Sequence, residues 1–177
     1  MRQLLLLRHA KSSWDDPRLS DHARPLNPRG QQAAIAIADR MRELGLAPDV
    51  ALVSSARRTQ QTLEALRPFD EPSLVEVLDD LYLAPWPRLL ETLRRTPETA
   101  RSVLLIGHNP GLHDLALALL GPAGAAAGTA EGQRLSEGYP TGALTEFAIA
   151  SYWAGLAEGG GRLVRFLTPG DLPEVAA

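Results

Sequence analysis

The 177-residue chain contains no cysteine. That excludes a disulfide framework, a thiolate zinc site and any mechanism that needs a thiolate nucleophile, and it fits a reducing cytoplasm. A strong charge of one sign is also missing. The net charge is -3, whereas a general nucleic-acid binder carries a strongly basic face, so no nucleic-acid partner is expected. Long apolar runs are absent too. The run Leu4 to Leu7 is ended at once by Arg8, His9 and Lys11, whereas a secretory signal needs a longer apolar core followed by small residues. No stretch approaches membrane-spanning length. The expectation is a cytoplasmic chain without a membrane partner. No repeat and no linker divides it, so residues 1–177 read as one domain. The 45% hydrophobic and 22% charged content is that of a soluble globular protein able to bury a core.

Strand and helix patterns alternate. Gln3 to Leu7 is a short buried strand. A polar loop from Ser12 to Leu26 holds Trp14 and Pro17. Asn27-Pro28 starts a helix, with Asn as cap and Pro at the first helical position. Ala34, Ile37, Ala38, Met41 and Leu44 continue it at helical spacing, and Gly45 stops it. Val50 to Val53 is a second strand. Ser54-Ser55 then caps a helix through Thr62, Leu63 and Leu66 to Pro68. Leu74 to Leu78 is extended, and a helix from about Pro87 ends before Pro97. Val103 to Ile106 is a third apolar strand. The helix after it runs through Leu112, Leu115, Ala116 and Leu119 and ends at Gly121-Pro122. The Gly- and Ala-rich stretch from Gly121 to Gly138 reads as a long loop with at most a poor helix. Thr141 to Ala150 and Arg162 to Leu167 are two late strands, joined by a turn at Gly159 to Gly161. The tail after Pro169 reads as loose. The alternation predicts an α/β sandwich with a mostly parallel sheet and an antiparallel edge element.

Three strand-to-helix junctions carry polar chemistry: Leu7-Arg8-His9-Ala10-Lys11-Ser12, Val53-Ser54-Ser55-Ala56-Arg57-Arg58-Thr59, and Ile106-Gly107-His108-Asn109-Pro110-Gly111. Ligands of open parallel sheets bind at the carboxyl ends of the strands. If the three strands are neighbours, two histidines and at least two arginines face one pocket. Arginine offers paired donors to phosphate oxygens, helix N-termini favour anions, and a neutral imidazole can attack phosphorus. Each element alone reads more simply as a helix cap or a solvated face. Together they point to a phosphoryl site that needs no metal and no cofactor.

These motifs resemble those of the histidine phosphatase (phosphoglycerate mutase-like) superfamily. Arg8-His9 is similar to its Arg-His-Gly signature, with Ala10 in place of glycine. Ser54 to Thr62 resembles the second motif; counting back from Gln61-Thr62 puts Arg58, not Arg57, at the phosphate-binding position. Gly107-His108-Asn109-Pro110 resembles the third. Arg24-Pro25-Leu26 followed by Gly30 is similar to a pattern of the short SixA-type phosphohistidine phosphatases, with Asn27 in place of threonine. The resemblance implies a three-layer α/β/α fold. It also implies that His9 attacks the phosphoryl group, that Arg8, Arg58 and His108 hold its oxygens, and that water then hydrolyses phospho-His9. Lys11 and Ser12 are candidate further donors, and Asn109 a weaker one. Arg24 is read either as a phosphate or partner ligand or as a structural ion-pair residue.

Members of the superfamily that act on alkyl phosphates use an acid after the second motif. Asp80 in Leu78-Asp79-Asp80-Leu81 matches that position best; a solvated loop carboxylate is the alternative. A phosphohistidine substrate relaxes the need, because its leaving nitrogen can carry a proton before the bond breaks. Trp14, Tyr82 and Trp86 are candidates for the pocket rim, with plain packing as the alternative. The leading expectation is a phosphatase of phosphohistidine in a protein. A phosphatase of a small phosphomonoester is second, and a phosphate-binding module without turnover third. The oligomeric state is not legible.

Overall fold

The computed structural model describes residues 1–66 and 74–173. Its six strands lie in one sheet in the order β3-β2-β4-β1-β5-β6. These are β1 (Arg2–Arg8), β2 (Val50–Ser54), β3 (Leu74–Leu78), β4 (Ser102–Gly107), β5 (Leu144–Ile149) and β6 (Gly161–Leu167). The first four are parallel; β5 runs antiparallel to β1, and β6 antiparallel to β5. The three strands that precede the polar junctions are therefore neighbours, in the order β2-β4-β1. Their ends are level, because Ile106 pairs with both Leu7 and Val53.

Both sheet faces are covered, which is why the central strands are apolar throughout. Successive side chains point to opposite faces. Leu4, Leu6, Val103 and Leu105 enter the core shared with α3 (Trp86–Arg94), α4 (Gly111–Ala126) and α5 (Ala130–Glu137). Leu5, Leu7, Leu104 and Ile106 enter the opposite core, with Ile37, Ala38 and Met41 of α1 (Pro28–Glu43) and Leu63 and Leu66 of α2 (Arg57–Leu66). This is a three-layer α/β/α sandwich with a mostly parallel sheet and an antiparallel edge, as the alternation predicts. Asn27 caps α1 by accepting from the Gly30 N–H at 2.8 Å, and Gly45 turns the chain out at φ 69°.

Several boundaries differ from the sequence reading. The expected end of the α2 helix at Pro68 lies outside the described residues. Gly121 does break α4, at φ 66°, but Pro122 restarts it as a short turn to Ala126. The stretch read as a loop up to Gly138 also holds α5, capped by Thr129 accepting from the Gly132 N–H. Its glycines hid a helix that is stabilised from outside, by Leu135 in the core. The β5–β6 connection is more than a glycine turn. It carries a 3₁₀ turn, Trp153–Gly155, whose indole is buried and donates to the Ala100 carbonyl at 2.8 Å. The expected loose tail begins with a 3₁₀ turn, Pro169–Asp171, held by a reciprocal Thr168–Asp171 capping box; its end, from 174 on, lies outside the described residues. No described helix is long and apolar enough to cross a membrane.

Candidate active site

His9 leaves β1 on a loop pinned from two helices. The Ala10 N–H donates to Thr62 Oγ1 at 3.1 Å, and Thr62 donates on to the Arg58 carbonyl. Gln61 accepts the Leu26 N–H at 2.7 Å. Arg58, Gln61 and Thr62 fall at i, i+3 and i+4, on one face of α2, which is the physical content of that motif. From the other side α1 packs directly on the loop: a Cβ at Gly30 would overlap the Lys11 carbonyl oxygen.

His9 Nδ1 lies 2.7 Å from the Ala10 carbonyl. A carbonyl only accepts, so Nδ1 carries the proton and Nε2 keeps its lone pair. Arg58 Nε donates toward that Nε2 at 3.4 Å. On the next junction, His108 Nδ1 is 3.3 Å from Arg58 Nη2. Arginine only donates, so the His108 proton sits on Nε2, which donates to Ser54 Oγ at 2.7 Å. The serine expected as a helix cap is thus engaged chiefly by His108; the Ala56 N–H reaches it only at 3.4 Å. Burial first, then the charges of Arg58, Arg8 and Arg24, push His9 down to about 4, against the Ala10 bond, which favours the protonated ring. Burial, His9 and Arg58 push His108 down to about 3. Both rings are neutral near pH 7, and their centroids are 5.2 Å apart.

Arg58 is 2% exposed. Beside the two imidazoles it donates to the Asp21 carbonyl at 2.7 Å and to Asp21 Oδ2 at 3.0 Å. Asp21 Oδ1 accepts from Arg24 Nη2 at 3.0 Å, and the Tyr82 hydroxyl donates to Oδ2. Burial would raise the Asp21 pKa, but the bonds from Tyr82, Arg58 and Arg24 outweigh it and hold the carboxyl well below its ordinary range. Arg24 also donates to Ser12 Oγ at 2.8 Å and stacks on the Trp14 ring, 3.4 Å from its centroid. The sequence reading missed Asp21. Its signal was available: Ser20 caps the 3₁₀ turn Asp21–Ala23, and Arg24 follows Asp21 by three residues.

Arg8, His9, Lys11, Ser12, Arg24, Arg58, His108 and Asn109 all line one cavity of about 410 Å³, with Trp14 and Leu83 at its mouth. Arg8 Nη1 and Asn109 Nδ2 both donate to the Tyr139 carbonyl, at 3.0 and 2.8 Å, a second anchor that sequence reading did not identify. The Arg8 Nε is buried without a partner. Arg57 points away and is exposed. Asp80 is exposed on the 3₁₀ turn Asp79–Leu81 and does not line the cavity. Tyr82 lies behind Asp21 rather than at the rim, and Trp86 packs on the core. Among the described residues no group of three or more histidine, aspartate or glutamate side chains is placed to hold a metal ion.

The arrangement is a cationic, largely buried cradle around an unprotonated imidazole nitrogen, which suits an anionic electrophile. Residues 4–99 match the model of the histidine phosphatase superfamily (branch 1). An uncharacterized protein of Mycobacterium tuberculosis is 35% identical over 163 residues, covering 92% of this chain and 99% of that protein. A protein of Nakamurella multipartitia assigned as the phosphohistidine phosphatase SixA superimposes with a TM-score of 0.83 at 29% identity, over 99% of this chain and 97% of the other. The protein histidine phosphatase SixA, solved with tungstate, gives 0.74 at 25% identity, over 96% and 98%. The chain belongs to the histidine phosphatase superfamily, among its SixA-type members.

Proposed function

We propose that the protein is a metal-independent phosphatase of phosphohistidine in proteins, working through phospho-His9. One observation carries the choice of substrate. Among the described residues no carboxylate lines the catalytic cavity. Asp21, the carboxylate bound to Arg58, is held ionised by its three donors, and Asp80 is outside. The site therefore offers no carboxylic acid to protonate a leaving alkoxide. Phosphohistidine needs none, because its ring can already be protonated.

In the first step His9 Nε2 attacks phosphorus, the P–N bond to the substrate breaks, and the substrate histidine leaves as a neutral imidazole. His9 becomes a phosphorylated imidazolium whose Nδ1–H bond to the Ala10 carbonyl stabilises the new positive charge. Arg8, with its unpartnered Nε, and Arg58 neutralise the phosphoryl oxygens. His108 stays neutral, with its Nε2–H on Ser54 and its Nδ1 accepting from Arg58, and so fixes the guanidinium that meets those oxygens. Lys11, Ser12, Arg24 and Asn109 stand around the cavity as additional polar contacts. In the second step water attacks phosphorus, the P–Nε2 bond breaks, and dihydrogen phosphate leaves with both water protons. The tungstate found in a SixA structure is an oxyanion of the same class. Turnover of a phosphohistidine protein should exceed that of a panel of sugar and cofactor phosphates and should survive EDTA. Robust activity confined to the phosphomonoesters would refute the substrate, and loss with EDTA would refute metal independence.

A further inference from the structure

The catalytic cavity is open on its α1 side. Lys11 and Thr141 line it and also line a second, larger cleft of about 590 Å³, so the two form one trough. One wall of the cleft is a stripe of α1: Arg29, Gln32, Ala33 and Ala36, spaced i, i+3, i+4 and i+7. The two alanines give it depth. The other wall is the turn after β6, with Pro169 and Pro173. That turn is fixed by its capping box, by the Arg134–Asp171 pair, and by Leu172 packing against the core beneath α1. A preformed cleft spares a ligand part of the ordering entropy of binding.

The charge of the trough is one-sided. The chain has 21 acidic residues and a net charge of -3, yet among the described residues no carboxylate lines either cavity. Lys11 and Arg29 are exposed, and among the described residues neither is in an ion pair. The stripe from Arg29 to Ala36 spans about 10 Å of helix axis, further than a phosphoryl group and one ring at His9 would extend. At the opposite lip Trp14 and Leu83 are exposed, at 75% and 53%.

The geometry points to a docking cleft, between α1 and the Pro169–Pro173 turn, for the polypeptide that carries the phosphoryl group, with its acidic side chains meeting Lys11 and Arg29. This rests on the phosphohistidine reading above and adds where the substrate chain lies and which charge it carries. A small phosphomonoester would leave the cleft empty.

The test uses two peptides bearing a stable phosphohistidine analogue, one flanked by glutamates and one by lysines. Each is measured as a competitive inhibitor of p-nitrophenyl phosphate hydrolysis, whose leaving group needs no acid. In wild type the glutamate-flanked peptide should inhibit about fivefold more tightly, with the difference shrinking in salt. Arg29→Glu should abolish that preference, and Ala36→Trp should weaken both peptides. Neither residue lines the catalytic cavity, so p-nitrophenyl phosphate turnover should stay within about twofold in both variants. Equal inhibition by the two peptides in wild type, or peptide inhibition unchanged in both variants, overturns the cleft while leaving the phosphohistidine reading intact. Inhibition by neither peptide, with p-nitrophenyl phosphate still hydrolysed, overturns that reading and the cleft with it.

Discussion

Asp21→Asn keeps the shape of the side chain and removes one charge and one acceptor from beneath Arg58. The carboxylate serves two guanidinium groups and a phenol: Arg58 and Tyr82 at Oδ2, Arg24 at Oδ1. An amide has a single oxygen, so its NH₂ must face one of these sides. Arg24 cannot accept, whereas the Tyr82 hydroxyl can rotate and do so. The amide nitrogen therefore goes to the Arg58 side and leaves that cation with a backbone carbonyl and two neutral imidazoles. Breaking a fully buried ion pair costs about 3–5 kcal/mol. The Asp21 side chain is 39% exposed, and solvent screening reduces the loss to about 1–2 kcal/mol. In a chain of this size that is a fall in Tm of about 3–6 °C. The effect on rate is larger. A displacement of about 1 Å in a group that positions the reacting centre costs about 100-fold, so kcat should fall by about that factor. Thermal unfolding and rapid-quench measurement of phospho-His9 formation read the two effects separately. The stability gap between wild type and variant should also close in acid. A carboxylate with a depressed folded pKa contributes its stability above the unfolded value of about 4 and loses it as pH falls through the folded value. A variant as stable as wild type, and as fast, would show that the Asp21 carboxylate does not hold Arg58 in place.

Arg58→Ala should abolish turnover and Arg57→Ala should change it less than about twofold, since Arg57 is exposed and reaches only the Ala23 carbonyl at 3.5 Å; steady-state kinetics on both variants decide, and the reverse order would mean the register of the second motif is wrong. His9, pushed down to about 4, is neutral in the folded chain while its unfolded counterpart titrates near 6.5. The unfolded state therefore binds more protons between about pH 6.5 and 4, and stability falls with pH across that window, by about 3 kcal/mol from His9 alone. Urea unfolding should show a shallower decline for His9→Ala. The same shift keeps Nε2 free in mild acid, so an acid limb of phosphoenzyme formation at the ordinary histidine value would refute the neutral-ring assignment. Thr62→Val leaves the Ala10 N–H without its acceptor; it should cost about 1–3 kcal/mol of stability in urea unfolding and slow phosphorylation of His9, whereas an unchanged unfolding midpoint would show that the loop is held by other bonds.

What could be read from the sequence depended on how local its cause was. β1, β2 and β4 are apolar runs bounded by polar residues, and both sheet faces are covered, so pattern alone identified them. Asn27-Pro28 states the start of α1 in two residues. α5 was hidden because glycine and alanine give no amphipathic period; the burial of Leu135 against α4 and β6 is a tertiary fact. Trp153 was missed for the same reason: it sits in a connection, and only the fold shows that the indole closes the core near Ala100.

At the site, the side chains that announce themselves by type and spacing, His9, Arg58 and His108, do converge in one cavity. The carboxylate is different. Asp80 was chosen by its distance along the chain after the second motif, a criterion that carries no information about where the 3₁₀ turn Asp79–Leu81 points. Asp21 lies in a polar loop without periodicity, and two of its three partners, Arg58 of α2 and Tyr82, are far away in sequence. Yet it is Asp21 that engages the buried Arg58. Its negative charge compensates Arg58 without lending a proton, because three donors keep it ionised, and its charge opposes the lowering of His108. A carboxylate placed to fix a guanidinium rather than to protonate a leaving group fits a substrate whose leaving imidazole is already protonated on its other nitrogen. The location of that one residue, rather than the presence of the histidines, is what separates phosphohistidine from an alkyl phosphate as the substrate to test first.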